Sequence, residues 1–129
     1  MVSAYVMPIE YKGIKIKLYE INKTDALEQI KAMIDKAPQE QLKNLGYVKY
    51  FEGDRNDACM LYHPYQGISI FGKRCINNLN FRHELVHKVQ LEKGDTLYNL
   101  IFHKGIFCDE LNKTIGKDNW QYRSYCVKR

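Results

Sequence analysis

Five consecutive residues, His83-Glu84-Leu85-Val86-His87, hold the side chains best suited to chemistry. On a helix, a four-residue step is about 400° of rotation. Both imidazoles then project from one face, one turn apart, and their ring nitrogens can meet at a single ion. Such a pair suits Zn2+, which binds histidine nitrogen at about 2.0–2.1 Å. Glu84 comes directly after the first histidine, so it flanks the ion without standing in line with the ligands. From there a carboxylate can take a proton from an activated water and pass it to a leaving amine. The pattern implies His83 and His87 as metal ligands and Glu84 as an acid–base group.

A catalytic zinc takes a third protein ligand and leaves a fourth position for water. Two downstream residues compete for that role, His103 and Glu110. Asp95 and Asp109 are weaker choices. Glu92 lies on the helix that already supplies both histidines, and His63, before Pro64, reads as a turn residue. The segment His103-Lys104-Gly105-Ile106-Phe107 opens a helical pattern, which favours His103 at the helix entrance. Tyr98, Tyr122 and Tyr125 follow the metal motif, and a phenol there could stabilise an oxyanion.

At this point the chain resembles the SprT-like zinc proteases, the group that includes Spartan and Wss1-type domains. The resemblance rests on His83, Glu84 and His87, a loop, then His103 with Phe107 four residues later. It extends to the strand pair around Ala58–Tyr62 and Gly67–Ile70, and covers about residues 46–116. It implies a zincin-like domain in which Zn2+ is held by His83, His87 and His103, Glu84 is the catalytic residue, and peptide bonds are hydrolysed. It also implies a protein or peptide substrate, with DNA-associated protein as one class. The chain departs from the family in having no cysteine pair for a zinc ribbon and in carrying Lys104 where glycine is common. Two other readings stand beside this one. Glu110 as third ligand would make a minimal gluzincin-type peptidase. Zinc closed off by both His103 and Glu110 would make a non-catalytic binding module.

The elements that must position these residues follow from periodicity. Ile14–Tyr19 alternates apolar and polar residues, the period of a half-buried strand. Asp25 and Glu28 form a capping-box pattern before Leu27, Ile30 and Ile34 at helical spacing, and Pro38 should stop that helix. Tyr47–Phe51, Ala58–Tyr62 and Ile68–Phe71 read as strands, the last two joined as a hairpin by His63–Gly67. Glu52–Asp57 reads as a polar turn. The metal helix runs from about Asn78 to Lys93 and is broken at Gly94. Tyr98–Phe102 is ambiguous, and Gly105–Ile115 is helical. The expected class is α+β, a short sheet with helices on one face. One domain spans residues 1–129, with an N-terminal strand and helix at about 11–46 and the catalytic core at about 47–116.

Composition sets the outer bounds. Hydrophobic residues at 45% and charged residues at 27% fit a globular domain and exclude wholesale disorder. No stretch approaches the ~20 apolar residues of a spanning helix, which argues against a membrane partner. Twenty basic against fifteen acidic residues leave a net charge of +5, enough to permit DNA contact without requiring it. Met1–Pro8 is short for a signal-peptide core, so the chain reads as cytoplasmic, or as exported by a route the sequence does not show. Cys59, Cys75, Cys108 and Cys126 contain no C-x-x-C pair and, in that compartment, are expected to be reduced thiols.

Overall fold

The computed structural model describes residues 8–19, 25–53 and 58–127. The N-terminal Met1–Met7 and part of the Glu52–Asp57 turn lie outside the described residues. The class is α+β, as the element pattern implies. The order is β1 (Ile9–Tyr11), β2 (Ile14–Tyr19), α1 (Ala26–Lys36), α2 (Gln39–Leu42), β3 (Tyr47–Phe51), β4 (Met60–His63) and β5 (Gly67–Phe71). A 3-10 turn at Lys73–Cys75 leads to α3 (Asn78–Glu92), α4 (Leu97–Ile101), α5 (Phe107–Ile115) and α6 (Trp120–Cys126).

The sheet order is β1-β2-β3-β5-β4. β2–β3 and β3–β5 are parallel, while β1–β2 and β4–β5 are antiparallel. The alternation read in β2 is real: Ile14, Ile16 and Leu18 are buried, and Lys15 is exposed on the other face. The buried side of the sheet forms one core with Ile30 and Ile34 of α1 and with Phe81 and Leu85 of α3. A smaller cluster of Val86, Phe107 and Leu111 sits further along, between α3 and α5.

Helix ends obey their local chemistry in most places. Asn77 caps α3 through its side-chain oxygen, which accepts from the Leu79 and Asn80 N–H groups. Gly94, at φ +86°, follows the end of α3, and α1 stops before Pro38. The capping box at Asp25 does not form. Its carboxylate instead accepts from Gln29 Nε2 at 3.2 Å and pairs with Lys73, a tertiary partner invisible to local pattern. The Tyr98–Phe102 ambiguity resolves as the short helix α4, and α5 begins at Phe107 rather than Gly105.

The cysteines correct the expectation of reduced thiols. Cys59 is bonded to Cys75, and Cys108 to Cys126. The first bridge ties the approach to β4 to the turn before α3. The second ties α5 to α6. Each closes a local loop, with sequence separations of 16 and 18 residues.

Candidate metal centre

α3 places His83 and His87 as the four-residue step requires, both almost fully buried. His103 arrives from the loop between α4 and α5, with its backbone at φ +54°. A non-glycine residue in that left-handed region is uncommon, and such residues concentrate where function fixes the chain. Here the turn aims the ring back at α3. His83 Nε2 lies 3.2 Å from His87 Nε2 and 3.2 Å from His103 Nε2. All three ligand atoms fall within 4.8 Å of one another, and no other described group of three or more His, Cys, Asp or Glu side chains is so placed. Phe107, the first residue of α5, is fully buried, with its ring centroid 4.7–5.2 Å from all three imidazoles. It packs against all three rings.

Hydrogen bonds fix which nitrogens face inward. Gln90 is fully buried, and its amide nitrogen donates to Asp95 Oδ2 at 2.9 Å and to the Lys104 carbonyl at 3.1 Å. Both of those partners only accept, so the Gln90 Oε1 must face His87 Nδ1, at 2.9 Å. His87 therefore carries its proton on Nδ1, and its Nε2 is a bare lone pair. Gln121 Oε1 stands in the same relation to His83 Nδ1 at 3.3 Å. Burial, reinforced for His83 by its histidine neighbours, lowers the pKa of His83 to about 3 and of His87 to about 4. Burial lowers His103 as well. The three rings are neutral near pH 7, the state a metal ligand needs.

Asp95 organises the loop that carries His103. Its carboxylate accepts from Asn99 Nδ2 at 2.6 Å, from Gln90, and from the Thr96 and Ile106 N–H groups. The Asn99 bond leads in holding its pKa down, to about 2. Gly105 lies against this carboxylate at φ +64°, where a Cβ would stand 2.4 Å from Asp95 Oδ2. Asp95 is thus committed to the loop's hydrogen bonds and lies outside the histidine group.

Glu84 projects toward the sheet edge. The Phe71 N–H bonds to the Cys59 carbonyl, so Cys59, Leu61 and His63 face β5, and Met60 and Tyr62 present their backbone groups outward. β4 is the last strand, so no described strand pairs with that edge. The Tyr62 N–H on it donates to Glu84 Oε1 at 3.0 Å. Burial dominates over that bond and raises the Glu84 pKa to about 8.

Glu110, the competing ligand, is buried elsewhere. It pairs with Lys93 Nζ at 2.8 Å and Lys113 Nζ at 3.3 Å and lies outside the histidine group. His63 is exposed at the end of β4, as a turn residue would be. Sequence reasoning missed Gln90 and Gln121. Gln90 had a usable signal, three residues after His87 and so on the adjoining helix turn. Gln121 belongs to a terminal helix with no motif of its own.

No protein-family model, curated protein or solved structure matches this chain.

Proposed function

We propose that the protein is a zinc-dependent peptidase of HExxH type, with His83, His87 and His103 holding the metal and Glu84 as the acid–base group. One observation carries this reading: the Nε2 atoms of His87 and His103 each lie 3.2 Å from His83 Nε2, with the outer nitrogens of His83 and His87 held by Gln121 and Gln90, beside a carboxylate. Lone pairs that face each other at that distance are stabilised by a shared cation. Bonds of ~2.05 Å at a tetrahedral angle would set ligand nitrogens ~3.3 Å apart, so the donor set fits Zn2+. When bound, zinc would polarise a carbonyl and lower the pKa of a coordinated water.

The chain's own residues divide the remaining work. Glu84 takes a proton from the attacking water and delivers it to the departing amine. Its raised pKa makes it an effective proton donor in the second half of the reaction, while a nearby cation favours the ionised form needed in the first. The outer edge of β4 offers the Met60 backbone and the Tyr62 carbonyl to an extended polypeptide, the Tyr62 N–H being held by Glu84, which supports a protein or peptide substrate. Nothing at the site selects DNA-linked protein over other polypeptide. The two disulfides favour an oxidising compartment over the cytoplasm. No helix among the described residues is long and apolar enough to cross a membrane.

The test is Glu84→Gln. Because Glu84 is not a ligand, the variant should bind zinc as the native chain does. It should lose about 10²–10⁴-fold in peptide hydrolysis. Wild-type cleavage rates in the Gln variant would remove Glu84 from the mechanism. Absence of chelator-sensitive cleavage in the native protein would leave the binding-module reading in its place.

A further inference from the structure

α6 brings two side chains to the histidine cluster. Gln121 and Tyr125 are four residues apart, so they share one face of the helix. Gln121 holds His83. The Tyr125 ring lies 4.4 Å from the His103 ring and 5.1 Å from the His83 ring, between centroids. It therefore bridges the two ligands that come from different elements. A cavity of about 130 Å³ opens at this point, and Tyr125 lines it together with His83 and Glu84.

Two further facts separate Tyr125 from an ordinary packing residue. The residue is 45% exposed, and its hydroxyl bonds to no described residue. Yet its backbone is held covalently, because the next residue, Cys126, is bridged to Cys108 beside Phe107. A rigidly placed phenol with an uncommitted hydroxyl, in the same cavity as the base and a ligand, is arranged to donate a hydrogen bond to something that enters that cavity.

Building on the hydrolytic reading above, we propose that Tyr125 is a catalytic residue whose hydroxyl donates to the oxyanion of the tetrahedral intermediate. Water loses a proton to Glu84 as its oxygen bonds to the scissile carbonyl carbon. The carbonyl π pair moves onto oxygen, and that oxyanion accepts from the Tyr125 hydroxyl. When the C–N bond breaks, the pair returns to re-form the carbonyl, and the amine nitrogen takes the proton from Glu84. The phenol keeps its own proton throughout. The contribution is specific to the transition state, because the donor strengthens only as charge develops on the oxygen.

The experiment uses the full-length, disulfide-bonded, zinc-loaded protein and its Tyr125→Phe variant, which keeps the ring and its stacking. Three quantities are measured: kcat and KM on a peptide substrate, zinc affinity by chelator competition, and affinity for a phosphinic peptide that mimics the tetrahedral anion. The expected result is a kcat about 10²–10³-fold lower, the loss seen when one oxyanion donor is removed. KM and zinc affinity should stay within about 3-fold, and phosphinic-peptide binding should weaken by at least 10-fold. An unchanged kcat with native peptidase activity present overturns the proposal and leaves the hydrolytic reading standing. Zinc affinity that falls along with kcat overturns it in favour of a ligand or packing role. A native protein with no hydrolysis and no phosphinic-peptide binding removes both readings together.

Discussion

Replacing Gln90 by leucine isolates the contribution of one buried carboxamide to both fold and metal. Gln90 is fully buried and makes three hydrogen bonds, to His87 Nδ1, Asp95 Oδ2 and the Lys104 carbonyl. Two are neutral, worth about 1 kcal/mol each, and the one to the Asp95 carboxylate is worth about 1.5–3 kcal/mol. Leucine fills similar space but leaves the His87 N–H buried without a partner, so a total loss of about 3–5 kcal/mol is expected. With an unfolding entropy of ~2.1 cal/mol/K per residue over this chain, that lowers Tm by roughly 11–18 °C. Zinc affinity should fall about 10–100-fold, the usual effect of removing a partner behind a ligating histidine. Calorimetry of the metal-free protein and chelator competition measure the two effects separately. Gln90→Glu sharpens the test. A glutamate still accepts from His87, but it loses both donations and sets a second carboxylate against Asp95. It should destabilise the metal-free chain at least as much as leucine does. A leucine variant that melts within 2 °C of native and binds zinc within 2-fold would falsify the role assigned to this residue.

Other outcomes test other parts of the site. His103→Ala should lose zinc on dialysis, whereas Glu110→Ala should retain it and show only reduced stability; reversed zinc contents, read by metal analysis, would point to the Glu110 ligand set. For the metal-free chain, unfolding between pH 6.5 and 4.5 adds protons to His83, His87 and, in part, His103, and removes one from Glu84. Net uptake of at least about one proton lowers stability as pH falls, by ~1.4 kcal/mol per unit for each net proton. Between pH 6.5 and 8 only the Glu84 proton is released on unfolding, so stability falls as pH rises, and urea midpoints across this range should peak near pH 6.5; a monotonic profile would contradict the burial of these groups. Reduction of Cys108–Cys126 removes the closure of a short loop, worth about 3 kcal/mol by chain entropy. It should weaken zinc binding by freeing α6 and Gln121, which a thiol-reductant titration followed by chelator competition would detect.

The α3 part of the histidine cluster could be read from the chain because its geometry is local. A four-residue step within α3 places His83, Glu84 and His87 whatever the rest of the fold does. His103 was legible through its position before Phe107, although what aims it, a left-handed backbone and the Asp95 loop, is set by tertiary hydrogen bonds. β2 was legible from its alternation, and the β4–β5 hairpin from two short runs joined by the Pro- and Gly-containing turn at His63–Gly67. The short strand β1 was not, since three residues give too little period to recognise. Asp25 carried a sound capping pattern that lost to Lys73, far away in sequence. The disulfides were hidden by the assumption of compartment. Their pairing follows from two local loops of nearly equal length, but spacing alone cannot distinguish a bridge from two thiols.

α3 is the seam between two unequal cores. Phe81 and Leu85 belong to the large sheet-side cluster, and Val86 to the small one shared with α5. The small side is too slight to hold itself by apolar burial, so its order depends on the Cys108–Cys126 clasp and on the histidine cluster that joins His103 to α3. Amide exchange should accordingly show two tiers. The sheet and the first half of α3 exchange only on global unfolding, and the C-terminal cap opens at lower free energy. If the histidines hold zinc as proposed, that cap would be the door through which the ion reaches buried His83 and His87. The rate of metal release would then be the opening rate of the cap and would not track the stability of the whole chain.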